Sequence, residues 1–152
     1  MKKNQKNNGM SKFQKAVAKV TSKLLRLGIY FFAAMEWLCS VGYSCFPWVT
    51  GENASHPQNM MHLAVTVLVI VFSIVSLILI AIGARKVSMK SLYISALVCL
   101  AMMLIGPIGT SLLPKSVFGI FERFSTFSAV IFNAILGVHL LCGRFEADKL
   151  EM

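Results

Sequence analysis

Four long apolar segments, separated by short polar or proline-containing stretches, dominate the chain. They cover about residues 27–48, 61–84, 91–113 and 118–142. A helix needs roughly 20 predominantly apolar residues to cross the hydrocarbon core of a bilayer, and each segment reaches that length. The segments are continuously apolar rather than alternating in polarity, which excludes membrane β-strands. The pattern therefore predicts four transmembrane helices.

The composition favours a membrane protein over a soluble one. Hydrophobic residues make up 57% of the chain and charged residues 14%, and the mean hydropathy is +0.72. A soluble domain of 152 residues could not bury so much apolar surface. We predict an all-α fold, a polytopic four-transmembrane-helix bundle over residues 27–142. A basic amphipathic segment lies in the predicted cytoplasmic tail at 1–26, and a second tail covers 143–152.

The lysines and arginines are distributed unevenly about the four segments. With the N-terminus inside, thirteen of the fifteen lie on the inner side, and only Lys115 and Arg123 lie outside. Cytoplasmic flanks of membrane helices are enriched in these residues. The bias predicts that both termini are cytoplasmic. The short loops and the Lys- and Asn-rich tail indicate a bacterial plasma membrane protein.

The first 26 residues hold eight of the fifteen basic residues and predict an interfacial helix. One side of this helix carries lysines at helical spacing, namely Lys12, Lys15, Lys19 and Lys23. The opposite side carries Phe13, Val17, Val20 and Leu24, an arrangement typical of helices that lie on a membrane surface. The net charge of +9 thus predicts anionic lipid of the inner leaflet as a partner, and not nucleic acid. A solvated tail that only enforces the orientation is the alternative.

Polar side chains inside the apolar segments mark the candidate functional positions, because such groups are costly in a bilayer and face the bundle interior. Glu36 lies near the middle of the first segment, and Ser40 and Tyr43 share its helical face. His62 opens the second segment. The fourth segment carries small and polar residues at four-residue spacing, which would let another helix approach closely: Ser125, Ala129, Asn133 and Gly137.

The predicted topology places several of these groups near one outward-facing polar pocket. Glu36 lies at mid-depth, while His62, Glu122 and Arg123 lie at the outer mouths of their helices. The predicted ligand-binding residues are Glu36, His62, Glu122, Arg123 and Asn133. We predict that the pocket takes a lipid head group or another small ligand. Under the structural alternative, Glu122 and Arg123 anchor their helix at the interface and His62 caps an outer loop.

Motifs for enzyme chemistry are absent from the sequence. No helix carries a pair of metal ligands four residues apart, and no nucleophile elbow, phosphate loop or dinucleotide fingerprint occurs. We therefore predict no cofactor and no metal, and an enzyme is the less favoured class. The Gly106-Pro107-Ile108-Gly109 stretch predicts either a proline kink or an interrupted helix that binds ions, as in transporters. The kink is the favoured interpretation.

Short motifs in the sequence resemble a known family. Gly42-Tyr-Ser-Cys-Phe46-Pro47, His62 opening a helix that ends at Gly83, and Phe118-Gly119-Ile-Phe-Glu122-Arg123 opening the last helix follow one another over about residues 27–142. This order resembles the prokaryotic multi-pass membrane proteins grouped as domain of unknown function 998. The resemblance places His62, Glu122 and Arg123 at motif positions and brings no activity. Members look like six-helix proteins and this chain matches their last four helices, which implies a membrane partner or a homo-oligomer.

Three classes of function are compatible with these observations. The favoured one is a small binding or accessory membrane protein with the outer polar pocket as its contact. An oligomeric transporter or channel subunit that uses Glu36 is the second. A membrane-embedded hydrolase that uses the outer histidine and glutamate residues is the third.

Overall fold

The computed structural model describes residues 20, 22–51, 53–112, 114 and 118–142. Within these ranges the chain forms four α-helices and no strand: α1 (Lys23–Cys45), α2 (Pro57–Lys86), α3 (Lys90–Leu112) and α4 (Phe118–Leu141). Each helix contains a stretch that is long and apolar enough to cross a membrane. The predicted all-α fold of four membrane helices is confirmed.

Two helices begin four residues earlier than the apolar pattern indicates, because polar residues cap them. The Ser22 hydroxyl accepts a hydrogen bond from the Leu25 N–H at 3.4 Å, so α1 begins at Lys23. Residues 23–26, predicted to lie in the basic tail, therefore belong to α1, and the Lys23 side chain is exposed in its first turn. His56 caps α2, which begins at Pro57. Lys12, Lys15 and Lys19 lie outside the described residues, as does the tail at 143–152.

Consecutive helices pack against each other, whereas the first and the last meet only sparsely. α1 packs along α2, α2 along α3, and α3 along α4. The bundle has one end formed by the 46–56 loop and the start of α4, and an opposite end formed by the 87–89 turn and the start of α1. We call these the 46–56 end and the 87–89 end. The sequence predicts that they face outwards and inwards, respectively.

Glycines allow α1 and α2 to approach backbone to backbone. A Cβ atom at Gly83 would lie 2.6 Å from the backbone nitrogen of Leu25, a distance that real Cβ atoms do not adopt. Gly28 faces Ile80. Gly42 faces Val65, and a Cβ atom added to Gly42 would lie 2.6 Å from the Val65 Cγ1 atom. Close approach at these three levels fixes the register of the α1–α2 pair along its full length.

Serines join α3 and α4 through backbone carbonyls of α3. Pro107 lies inside α3 and removes the N–H that would bond the Met103 carbonyl. The Ser125 hydroxyl of α4 donates to this carbonyl at 3.3 Å, and the buried Ser128 hydroxyl donates to the Cys99 carbonyl at 2.6 Å. The Gly106-Pro107-Ile108-Gly109 stretch is thus continuous helix, whose freed carbonyl is satisfied by its neighbour.

Candidate functional site

The 46–56 loop is tied to α2 by one fully buried side chain, Asn59. Its Oδ1 atom accepts from the Val49 N–H at 2.8 Å. Its amide nitrogen donates to the Val49 carbonyl at 3.3 Å and to the Asn53 carbonyl at 3.0 Å. The Gln58 side chain adds a hydrogen bond to the Cys45 carbonyl at 3.3 Å. The loop is therefore held over the ends of α1 and α2 rather than extending away from them.

His62 lies beneath this loop with its ring fixed on three sides. Its Nδ1 atom is 2.8 Å from the Phe46 carbonyl oxygen, and a carbonyl only accepts, so Nδ1 carries the proton in this hydrogen bond. The ring centroid lies 5.0 Å from that of Tyr43 and 5.7 Å from that of Trp48. In the neutral tautomer Nε2 is then left as an acceptor. This geometry corresponds to the alternative prediction for His62, in which it caps an outer loop.

A hydrogen-bonded pair connects α1 to α2 one turn below His62. The Tyr43 hydroxyl donates to the Thr66 hydroxyl at 3.1 Å, and Thr66 donates to the His62 carbonyl at 2.9 Å. The sequence predicts Tyr43 on the polar face of the first segment, and the structure shows that its hydroxyl meets Thr66 of α2. Deeper in α2, the buried Ser73 and Ser76 instead bond to carbonyls of their own helix.

Glu36 lies deeper in α1, on the side that faces α4. It follows Phe32 by four residues and therefore shares its face, and the Phe32 ring contacts the Phe132 ring of α4 edge to face at a centroid distance of 5.3 Å. The Glu36 side chain is partly buried. It forms no hydrogen bond or ion pair with any described residue. A carboxyl group within a membrane helix is thus left without a donor from the part of the fold that the structure describes.

Glu122 is the fifth residue of α4, near the 46–56 end. It is exposed and within electrostatic range of the Tyr43 phenol. Tyr43 and Glu36 lie seven residues apart on one face of α1, and Glu122 lies closer to the 46–56 end of the bundle than Glu36 does. We define the α1/α4 seam as Phe32, Glu36 and Tyr43 of α1 with Glu122 and Phe132 of α4. This seam lies between the two helices that meet only sparsely.

The remaining predicted residues lie apart from the seam mouth. Arg123 is exposed beside Glu122 but is turned by about 100° around the helix axis. Asn133 is exposed and lies eleven residues farther along α4 than Glu122, about 16 Å by helical rise. The structure therefore brings Tyr43, His62, Glu122 and Arg123 to one end with Glu36 beneath them. Arg123 is turned away from Glu122 around α4, whereas Asn133 shares the helical face of Glu122 to within about 20° but lies about three turns deeper.

Sequence reasoning missed Asn59, which is the most buried polar side chain at the 46–56 end. The available signal was an amide residue in the first turn of an otherwise apolar helix. Its role depends on where the preceding loop returns, and composition does not specify that position. Across the part of the chain that the structure describes, no group of three or more His, Cys, Asp or Glu residues lies close enough to hold a metal ion.

No family model, curated protein or solved structure matches the chain. The resemblance to domain of unknown function 998 therefore stays a prediction.

Proposed function

We propose that the protein is a binding or accessory protein of the membrane, whose site is the α1/α4 seam opening at the 46–56 end. The ligand is a lipid head group or another small molecule that carries a hydrogen-bond donor. The proposed orientation is the one that the basic residues favour, with the 46–56 end outside and both termini in the cytoplasm.

Glu36 carries this proposal. Intramembrane carboxyl groups are costly and face a cavity or a partner, and neither a hydrogen bond nor an ion pair to another described residue offsets that cost here. The side chain is only partly buried, so a donor from outside the chain can reach it. Glu122 lies nearer the 46–56 end than Glu36, which gives the proposed seam two carboxyl groups at different depths. An ammonium or hydroxyl group suits both of them.

The proposed chemistry is recognition rather than catalysis. His62 is engaged by the Phe46 carbonyl and by two aromatic rings, so its ring is fixed in place beside the seam. It contacts the seam through the Tyr43 ring. The seam therefore offers hydrogen-bond acceptors at two depths and a rigid aromatic side wall, which is a binding arrangement.

The test compares lipid retention by the wild-type chain and by Glu36→Gln. Protein from vesicles of phosphatidylethanolamine and phosphatidylcholine is analysed by native mass spectrometry for retained lipid. The two head groups differ in the donors on their nitrogen, so the wild type is expected to retain phosphatidylethanolamine preferentially. Glu36→Gln should lower that preference about tenfold, because a charge-assisted hydrogen bond contributes roughly 1.5–3 kcal/mol.

Ser40→Ala is the matched control. Ser40 is exposed one turn beyond Glu36 on α1, and its carbonyl rather than its side chain accepts the hydrogen bond from Ser44. This variant should retain the same lipids as the wild type. Equal retention by Glu36→Gln and Ser40→Ala would remove the support for the seam as a ligand site.

A second candidate, an oligomeric transporter or channel subunit, is favoured by the open face of α4. Asn133 is exposed, and a Cβ atom at Gly137 would meet nothing within 4 Å, so a helix from another copy could pack there closely. Gly137→Leu would then convert the oligomer to monomer in multi-angle light scattering and leave lipid retention at the seam unchanged. A wild-type chain that is monomeric in lipid nanodiscs would contradict this candidate.

A further inference from the structure

A groove between α2 and α3 opens at the 87–89 end and has no role in the proposed seam. Its volume is about 640 Å³. Its apolar wall includes Ile78 and Ile82 of α2 and Leu97 of α3, and its remaining sides include Tyr93, Arg85 and Lys86. The groove thus combines a two-turn apolar channel with two cationic groups at one of its ends.

Neither cationic side chain has a counterion among the described residues. Arg85 and Lys86 are exposed and form no ion pair or hydrogen bond there. The two acidic residues that the structure describes are Glu36, in the middle of α1, and Glu122, at the 46–56 end. Among the residues that the structure describes, no acidic side chain neutralises these two adjacent positive charges at the 87–89 end.

These side chains are also not needed to cap α2. Basic residues in the last turn of a helix commonly bond its free carbonyls. Here the carbonyls of Gly83, Ala84 and Arg85 already accept backbone N–H groups from residues 87, 89 and 88 at 3.3, 2.9 and 3.2 Å. Ser88 adopts the left-handed conformation, with φ of 57°, that makes this tight turn. The turn leaves the Arg85 and Lys86 side chains available to an external anion.

We propose that this groove binds an anionic phospholipid from the leaflet at the 87–89 end. The phosphate lies at Arg85 and Lys86, and an acyl chain follows the wall formed by Ile78, Ile82 and Leu97. Arg and Lys donate charge-assisted hydrogen bonds to phosphate oxygens, and basic pockets between membrane helices hold anionic head groups. Tyr93, one turn into α3, lies at a depth where its hydroxyl can donate to the same head group.

A lipid rather than a soluble phosphate fits because most of the lining is apolar. Arg85 and Ile78 are seven residues apart on α2, as are Tyr93 and Leu100 on α3, so the apolar channel extends about 10 Å from the charges. Within a bilayer an acyl chain fills such a channel by van der Waals packing, which a soluble phosphate has no apolar tail to supply. The proposal is independent of the seam, because the groove is lined by α2 and α3, whereas the seam is formed by α1 and α4 and uses carboxyl groups.

The test measures which lipid the full-length chain retains from vesicles of phosphatidylglycerol and phosphatidylcholine, by native mass spectrometry. The wild type is expected to be enriched in phosphatidylglycerol relative to the vesicle. The double variant Arg85→Gln/Lys86→Gln should lower the ratio of retained phosphatidylglycerol to phosphatidylcholine at least about tenfold. The control Lys23→Gln/Lys90→Gln removes two exposed charges from the same end and should change the ratio less than about twofold.

A second pair of variants tests the channel itself. Leu97→Trp fills the groove from a side chain that is 41% exposed, whereas Val98→Trp adds the same bulk at an exposed position outside the lining. Leu97→Trp should lower phosphatidylglycerol retention and Val98→Trp should not. Three results overturn the proposal: an unchanged ratio in Arg85→Gln/Lys86→Gln, an equal fall in both charge variants, or full retention by Leu97→Trp. The second would indicate general surface charge, and the third a phosphate contact without a lipid groove.

Discussion

The two ends of the bundle treat their polar groups in opposite ways. At the 46–56 end, polar side chains bond to the backbone or to each other: Asn59 holds Val49 and Asn53, His62 holds Phe46, and Tyr43 holds Thr66. At the 87–89 end, backbone groups close the α2 terminus by themselves. The charged side chains there bond to no described residue. Asn59, His62 and Tyr43 stabilise the fold at the 46–56 end, whereas Arg85 and Lys86 at the 87–89 end are exposed and bond to no described residue.

This difference separates residues that the fold uses from residues that a ligand can use. A buried side chain that holds a loop in place is costly to replace, because the backbone groups that it bonds lose those hydrogen bonds. An exposed cation without a partner contributes little to folding and retains its full capacity to bind an anion. Glu36 belongs with the second group although it lies within α1, which is why it carries the proposed function.

The largest expected effect concerns which end faces the outside, and two native cysteines report on it. Cys45 ends α1 at the 46–56 end and Cys142 follows α4 at the 87–89 end, and both are free and exposed. A membrane-impermeant maleimide applied to intact cells should label Cys45 and spare Cys142. Labelling should therefore disappear in Cys45→Ser and persist in Cys142→Ser. The reverse pattern would place the basic end outside and invert the proposed orientation.

Replacing Asn59 should destabilise the bundle more than any charge at the opposite end. Asn59→Ala removes three hydrogen bonds from a side chain with no exposed surface and leaves the partly buried Val49 N–H without its Asn59 partner. We expect a loss of about 3 kcal/mol in the free energy of unfolding, measured by denaturant titration in detergent micelles.

Asn53→Ala is the matched control for this prediction. The exposed Asn53 side chain only accepts from the Ser55 N–H at 3.1 Å, and its backbone carbonyl, which Asn59 uses, remains in the variant. This substitution should cost less than about 0.5 kcal/mol. A comparable loss in both variants would mean that the loop itself, and not the Asn59 side chain, determines stability at this end.

The fold was predictable because the bilayer imposes a length on apolar segments, and four such segments are plain in the chain. The helix ends were harder to predict, since Ser22 and His56 extend α1 and α2 into polar sequence by capping them. Hydropathy does not detect a cap that lies outside the apolar run. Lys23 was accordingly assigned to the tail, although it occupies the first turn of α1.

The depth of the candidate-site residues in the bundle was predictable from the sequence, but the contacts between them were not. Position along a segment placed His62 and Glu122 at one end and Glu36 below them, as the structure has them. The Tyr43–Thr66 hydrogen bond depends on the register between α1 and α2, which the glycine contacts at Gly28, Gly42 and Gly83 set. A single sequence does not state which glycine meets which residue, so it could not show that His62 is already engaged.

The smallest expected effect is the one that separates the two ends most clearly. Arg85→Gln/Lys86→Gln should change the free energy of unfolding by less than about 0.5 kcal/mol in a bilayer of phosphatidylcholine, because the turn at 87–89 closes α2 without these side chains. In bilayers that contain phosphatidylglycerol the wild type should become more stable than the variant, since a ligand that binds only the folded state stabilises it. The difference in the free energy of unfolding between the two bilayers thus measures how much phosphatidylglycerol bound in the groove stabilises the protein. A large loss in the free energy of unfolding of the double variant in pure phosphatidylcholine would mean that Arg85 and Lys86 stabilise the fold itself, as Asn59 does at the opposite end.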